Sequence, residues 1–152
     1  MTRRQLRECI FKALFRTEFN SKQEWEEQLE FFIQELTSPL EEAALEDALP
    51  DEGRFENIDQ DAAYIEHKVK DIYARMEEID KVISENTEGW SLNRIGKAEL
   101  AILRLAVYEM QYDSDIPQKV AINEAVELTK IYCAEEAKGF VNAVLAKLAK
   151  ES

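Results

Sequence analysis

The residues most able to do chemistry with another macromolecule stand at the start of the chain. Arg3, Arg4 and Arg7 lie beside Phe11 and Phe15. Helical spacing over about 3–18, with Thr2 as N-cap, puts Leu6, Cys9, Ile10, Ala13 and Leu14 on a core face. Arg4, Arg7, Phe11 and Phe15 then fall on a different, roughly opposite side. Guanidinium groups bind phosphates bidentately, and aromatic rings stack unpaired bases, so this face suits RNA. The competing reading packs Phe11 and Phe15 against a second lobe and leaves the arginines as ordinary surface charge.

Enzyme chemistry has no comparable footing. There is no Ser/His/Asp set, no phosphate-binding glycine loop, no dinucleotide fingerprint and no carboxylate pair with catalytic spacing. His67 is the only histidine, and it reads as a solvated residue of a charged helix. Cys9 and Cys133 are too few for a disulfide scaffold or a zinc site, and read as buried thiols in a reducing compartment. No metal and no cofactor are expected.

The elements that must position these side chains are helices. With four glycines and three prolines in 152 residues, and no sustained strand alternation, the chain reads as all-α. A second helix over about 22–36 buries Trp25, Leu29, Phe32, Ile33 and Leu36 and stops at Pro39. Residues 39–57 are acidic, contain Pro50 and Gly53, and read as a linker with room for one short helix. A long helical stretch over about 59–86, with room for one break, carries the stripe Ile65, Val69, Ile72, Tyr73, Met76, Ile79 and Ile83. Residues 90–96 read as a short helical turn between two breaks. The helix over about 97–112 is apolar nearly all round, which marks it as the buried centre. Pro117 opens the next helix, which ends near Cys133, and the last, about 135–150, buries Val141, Val144, Leu145 and Leu148. The reading is about seven helices in two small lobes, 1–57 and 58–152.

Polar residues interrupt the apolar helices at a few places. Glu99, Arg104 and Glu109 are five apart on the central helix, about 140° from one to the next, so they share no face. Each needs its own partner or solvent, and structural ion pairs are the expectation for Arg104 and Glu109. Asn123 and Glu127 lie one turn apart on a polar face, where Asn123 either satisfies backbone groups or binds a ligand. In Lys138-Gly139-Phe140-Val141-Asn142, Val141 falls in the core, which displaces Phe140 from it. Phe140 then either packs peripherally or stacks a base.

Charge is unevenly distributed. The net charge is −13 at pH 7, which argues against nonspecific nucleic-acid binding. Residues 1–17 nonetheless carry five cations against Glu8, a local net of +4. Residues 18–61 carry fifteen acids against Lys22 and Arg54, a local net of −13. Such a surface serves both a basic protein partner and a short RNA. No apolar run approaches the roughly 20 residues needed to span a membrane. No apolar signal core follows the N-terminal arginines, so a cytoplasmic protein is expected.

Three stretches together resemble one family. Leu103-Arg104 with Val107-Tyr108-Glu109, then Val120-Ala121-Ile122-Asn123-Glu124-Ala125-Val126-Glu127-Leu128, then Lys138 with Phe140-Val141-Asn142, are similar in order and spacing to the NusB family of bacterial transcription antitermination factors. The Arg-rich first helix extends the resemblance over most of the chain. It implies a non-enzymatic factor that pairs with NusE, a basic small-subunit ribosomal protein. The pair would bind the single-stranded boxA element of nascent ribosomal RNA and help assemble an antitermination complex on RNA polymerase. It implies that Arg3, Arg4, Arg7, Trp90, Arg94, Lys138 and Phe140 meet RNA, and that Phe15, Glu99 and Glu136 meet the protein partner. Some relatives self-associate, and a homodimer would hide the arginine helix. Gln5 stands where the family often has another basic residue, and Ala143 where it often has glycine. A helical adaptor that binds protein but no RNA is the alternative. The same domain also occurs fused to RNA cytosine methyltransferases, but this sequence carries no cofactor-binding domain.

Overall fold

In the computed structural model, residues 1–37, 58–88 and 91–151 are described. The acidic linker expected at 39–57 and the proposed RNA residue Trp90 lie outside the described residues. Among the described residues there are seven α-helices and no strand, as the all-α reading requires. They are α1 (Arg3–Thr17), α2 (Trp25–Thr37), α3 (Ile58–Ala74), α4 (Met76–Glu85), α5 (Lys97–Tyr112), α6 (Gln118–Tyr132) and α7 (Ala137–Glu151). Short 3-10 turns, Lys22–Glu24 and Leu92–Arg94, precede α2 and α5.

Contacts divide the chain into two compact units, Met1–Asp71 and Ile72–Ser152. This division falls inside α3, whereas composition drew a boundary at 57/58, where the acidic segment ends. In the first unit α1 packs on α2, and the Met1 amino group meets the Asp61 carboxylate of α3 at 2.7 Å. Cys9, Ile10, Leu14, Leu29, Phe32, Leu36, Ile65 and Val69 are its buried apolar residues. Phe11 belongs with them at 2% exposure, which favours packing over base stacking for this ring, while Leu6, expected on the core face, is only half-buried. The reason is that α1 is buried over a wide arc, from Gln5 through Cys9, Ile10, Phe11, Ala13 and Leu14 to Thr17, rather than along one narrow stripe.

In the second unit α5 is the centre. Residues 100–109 are all buried, and α4, α6 and α7 each pack on α5. A helix apolar on every side is stable only when covered on every side. The stripe that runs through α3 and α4 survives a break at Arg75, whose backbone (φ −107°, ψ 9°) departs from helical values. Ile65, Val69, Ile72, Met76, Ile79 and Ile83 are all buried on both sides of that break. Asn86 ends α4, its Nδ2 donating to the Val82 carbonyl at 2.8 Å. Pro117 stands immediately before α6 as its N-cap, where a missing N–H costs no helical hydrogen bond.

Candidate nucleic-acid interface

The arginine helix starts from a fixed end. The Thr2 hydroxyl accepts from the Gln5 N–H at 3.1 Å, and the Gln5 side-chain oxygen accepts from the Thr2 N–H at 2.7 Å. This reciprocal capping box satisfies two of the donors that a helix start leaves open. Gln5 is 7% exposed. It is therefore a capping residue and not a weakened member of the basic face, which sequence spacing alone did not reveal.

From that cap the chain presents Arg3 and Arg4 exposed and Arg7 half-buried. Arg3, Arg7, Phe11, Phe15 and Phe19 recur every four residues, so they form one continuous ladder along the helix and past its end. The Phe11 and Phe15 rings lie 6.0 Å apart, and Phe15 meets Phe19 edge-on at 5.2 Å. Phe19 is 61% exposed, the most accessible aromatic of this ladder. Phe19 was not among the sequence candidates, although the four-residue repeat continued to it.

Lys12 and Arg16 of the same helix have carboxylate partners. Lys12 pairs with Glu8 at 3.8 Å. Arg16 is salt-bridged to Glu35 and lies 5.0 Å above the Phe32 ring. Three of the five cations of residues 1–17 stand in the first two turns of the helix.

In the second unit Arg94 is exposed at the end of its 3-10 turn. Lys138 and Phe140 sit in the first turn of α7, both half-buried. Two residues apart on a helix, they point to different sides. Lys138 Nζ meets the Glu135 carboxylate at 2.6 Å, and this contact holds Glu135 below the usual carboxylate range. A phosphate arriving at Lys138 competes with Glu135, a pairing that the three-residue spacing made readable. Asn123 is exposed and Glu127 half-buried, with Glu127 paired to Lys130 at 3.1 Å. His67 is exposed.

Of the residues expected to meet protein, Phe15 is half-buried between Phe11 and Phe19, and Glu136 is exposed. Glu99 is half-buried in the first turn of α5. Arg104 pairs with Asp80 as expected for a structural cation, and Glu109 is buried. Cys9 is buried, which pushes its thiol up to about 11. Cys133 is raised to about 12, first by desolvation and then by the charge and hydrogen bond of Glu99. Neither thiol has the thiolate character of a nucleophile near neutral pH. Among the described residues no cluster of His, Cys, Asp and Glu could hold a metal, and no helix is long and apolar enough to cross a membrane.

Residues 4–150 match the model of the NusB family. This chain belongs to the NusB family. The transcription antitermination protein NusB of Agathobacter rectalis is 46% identical over 149 residues, covering 98% of this chain and all of the relative. Thermotoga maritima NusB in crystal form is similar with a TM-score of 0.71 at 34% identity, covering 99% of this chain and 92% of that one. A structure of antitermination factors NusB and NusE in complex with double-stranded RNA is similar over 100% of both chains, with a TM-score of 0.67. Its 24% identity makes that a likeness of fold. The NusB family is one of transcription antitermination factors and not a known enzyme family. The buried Leu103, Val107, Val141 and Leu145 show why NusB-like sequence motifs are dense at the C-terminus: they are core of the second unit.

Proposed function

We propose that this NusB-family chain acts as a transcription antitermination factor in the cytoplasm, binding boxA RNA of nascent ribosomal transcripts together with NusE and helping to assemble an antitermination complex on RNA polymerase. It performs no reaction of its own. The observation that carries this reading is the presentation of Arg3, Arg4 and Arg7 on the first turns of a firmly capped helix. In this reading those three arginines, Arg94 and Lys138 meet phosphates, and Phe140 and Trp90 meet bases. Phe15, Glu99 and Glu136 meet NusE. A protein of the same fold has been solved with NusE and double-stranded RNA, which supports the pairing of these two partners.

The mechanism is composite recognition. A chain of net charge −13 repels a polyanion at long range, and the start of α1, with Arg3, Arg4 and Arg7, runs against that field. A basic partner is drawn to the acidic surface and adds the positive charge that this chain lacks. RNA therefore binds weakly to the isolated chain and tightly to the pair.

Fluorescence anisotropy of a labelled boxA-type RNA, with and without NusE across a salt series, tests this. Tight binding only with NusE, falling steeply with salt, is the expected result. Partner binding with no gain in RNA affinity at any salt would leave a protein-binding adaptor, the reading that the overall acidity favours.

A further inference from the structure

Glu99 occupies the first turn of α5, whose N-cap is Gly96. Its side chain folds back over that cap. A Cβ placed on Gly96 would lie 1.9 Å from Glu99 Oε2 and 2.8 Å from its Cδ. The carboxylate thus occupies the volume that any side chain at position 96 would fill. Across from it, the Cys133 thiol at the end of α6 is near enough to this carboxylate that Glu99, after desolvation, helps to hold the thiol in its protonated form. The positive end of the α5 dipole adds a third restraint, because a carboxylate is favoured in the first turn of a helix.

A glutamate on a surface normally samples many rotamers, and ordering it on binding costs free energy. A carboxylate resting in the space over Gly96 has less of that ordering left to make on binding, and the side chain keeps part of its surface open to solvent. We infer that Gly96 and Cys133 are positioning residues, which hold the Glu99 carboxylate in one orientation to receive a cationic group of the protein partner. This rests on the proposed contact between Glu99 and NusE. Gly96 acts by leaving space and Cys133 by donating a hydrogen bond. The two act through Glu99 and need no contact with the partner themselves.

The test is the Kd for NusE, by calorimetry on the full chain, with a melting curve for each variant. Gly96→Ala pushes the flexible carboxylate away without a clash against backbone, and Cys133→Ala removes the donor. Each is expected to weaken partner binding about two- to tenfold with little change in Tm. Cys133→Ser restores a donor and is expected to bind close to the parent. Gly96→Ala is expected to add nothing once Glu99→Gln is present, because both act through one group. If Glu99→Gln weakens binding while Gly96→Ala and Cys133→Ala do not, the positioning role is wrong. If Glu99→Gln itself leaves the Kd unchanged, the contact between Glu99 and the partner fails, and the positioning role falls with it.

Discussion

Arg104 and Asp80 join α5 to α4 through two parallel hydrogen bonds, Nε to Oδ1 at 2.8 Å and Nη2 to Oδ2 at 3.0 Å. Only a guanidinium matches a carboxylate in this forked way. Their side chains retain 11% and 23% of their exposure, so the pair is largely withdrawn from water. Arg104→Ala would leave Asp80 with its charge and no partner. The expected loss is about 2–3 kcal/mol of stability, with Arg104→Lys losing less. Denaturant unfolding measures it, and a change under about 0.5 kcal/mol would show that the pair does not stabilise the fold.

The capping box makes an opposite forecast to family analogy at position 5. Restoring a basic residue there, Gln5→Arg, ought to strengthen RNA binding if the side chain faced RNA. The structure buries Gln5 and employs it at the cap. Gln5→Arg is therefore expected to cost about 1 kcal/mol and to leave RNA affinity unimproved, and Thr2→Ala to cost a similar amount. Thermal melts with anisotropy on the same samples separate the two effects.

For the basic end of α1, the measurement is salt dependence. Arg4→Ala and Arg7→Ala are each expected to lower RNA affinity of the NusE-bound chain and to reduce the slope of log K against log salt by about 1. Affinity for NusE is expected to stay within about twofold of the parent. Equal slopes for parent and variants would remove these arginines from the interface.

The thiols govern behaviour at high pH. Burial raises the Cys9 thiol from 9.0 to about 11 in the folded chain. The folded state then holds its proton more tightly than the unfolded one. Its contribution to stability is fully present below pH 9 and is lost as pH rises towards 11. Urea midpoints are expected to fall more steeply above pH 9 for the parent than for Cys9→Ala. Cys133, raised to about 12, is expected to react with a thiol reagent at pH 8 far more slowly than a free peptide thiol, and Glu99→Gln to speed that reaction.

Much of the second unit was legible in the sequence because packing and periodicity agree there. Lys97–Tyr112 could be bounded from its dense apolar stretch between the breaks at Gly96 and Asp113, and Val141, Val144, Leu145 and Leu148 could be read from their spacing. The position of the break at Arg75 was hidden, since Ile72 and Met76 keep the buried stripe in step across it. The first helix was harder. A wide buried arc took in Phe11, which a single-face reading had left outside, and Gln5 gained its role from a neighbour three residues away. Around the candidate site, residue types pointed to the arginines and local spacing to the Lys138 pair, but the surroundings of Arg16 and Glu99 depend on packing between helices that no periodicity encodes.

The ladder on α1 is not the same at its two ends. Arg3 and Arg7, with Arg4 beside them, come first, and Phe11, Phe15 and Phe19 follow. Along the axis Arg7 stands about 6 Å from the buried Phe11 and about 12 Å from Phe15, the first partly open ring. A ligand that offered anions at one end and flat apolar surface at the other would match this order in one direction and not in reverse. The order of six residues thus gives α1 a polarity, in the sense of an arrow, as well as a charge.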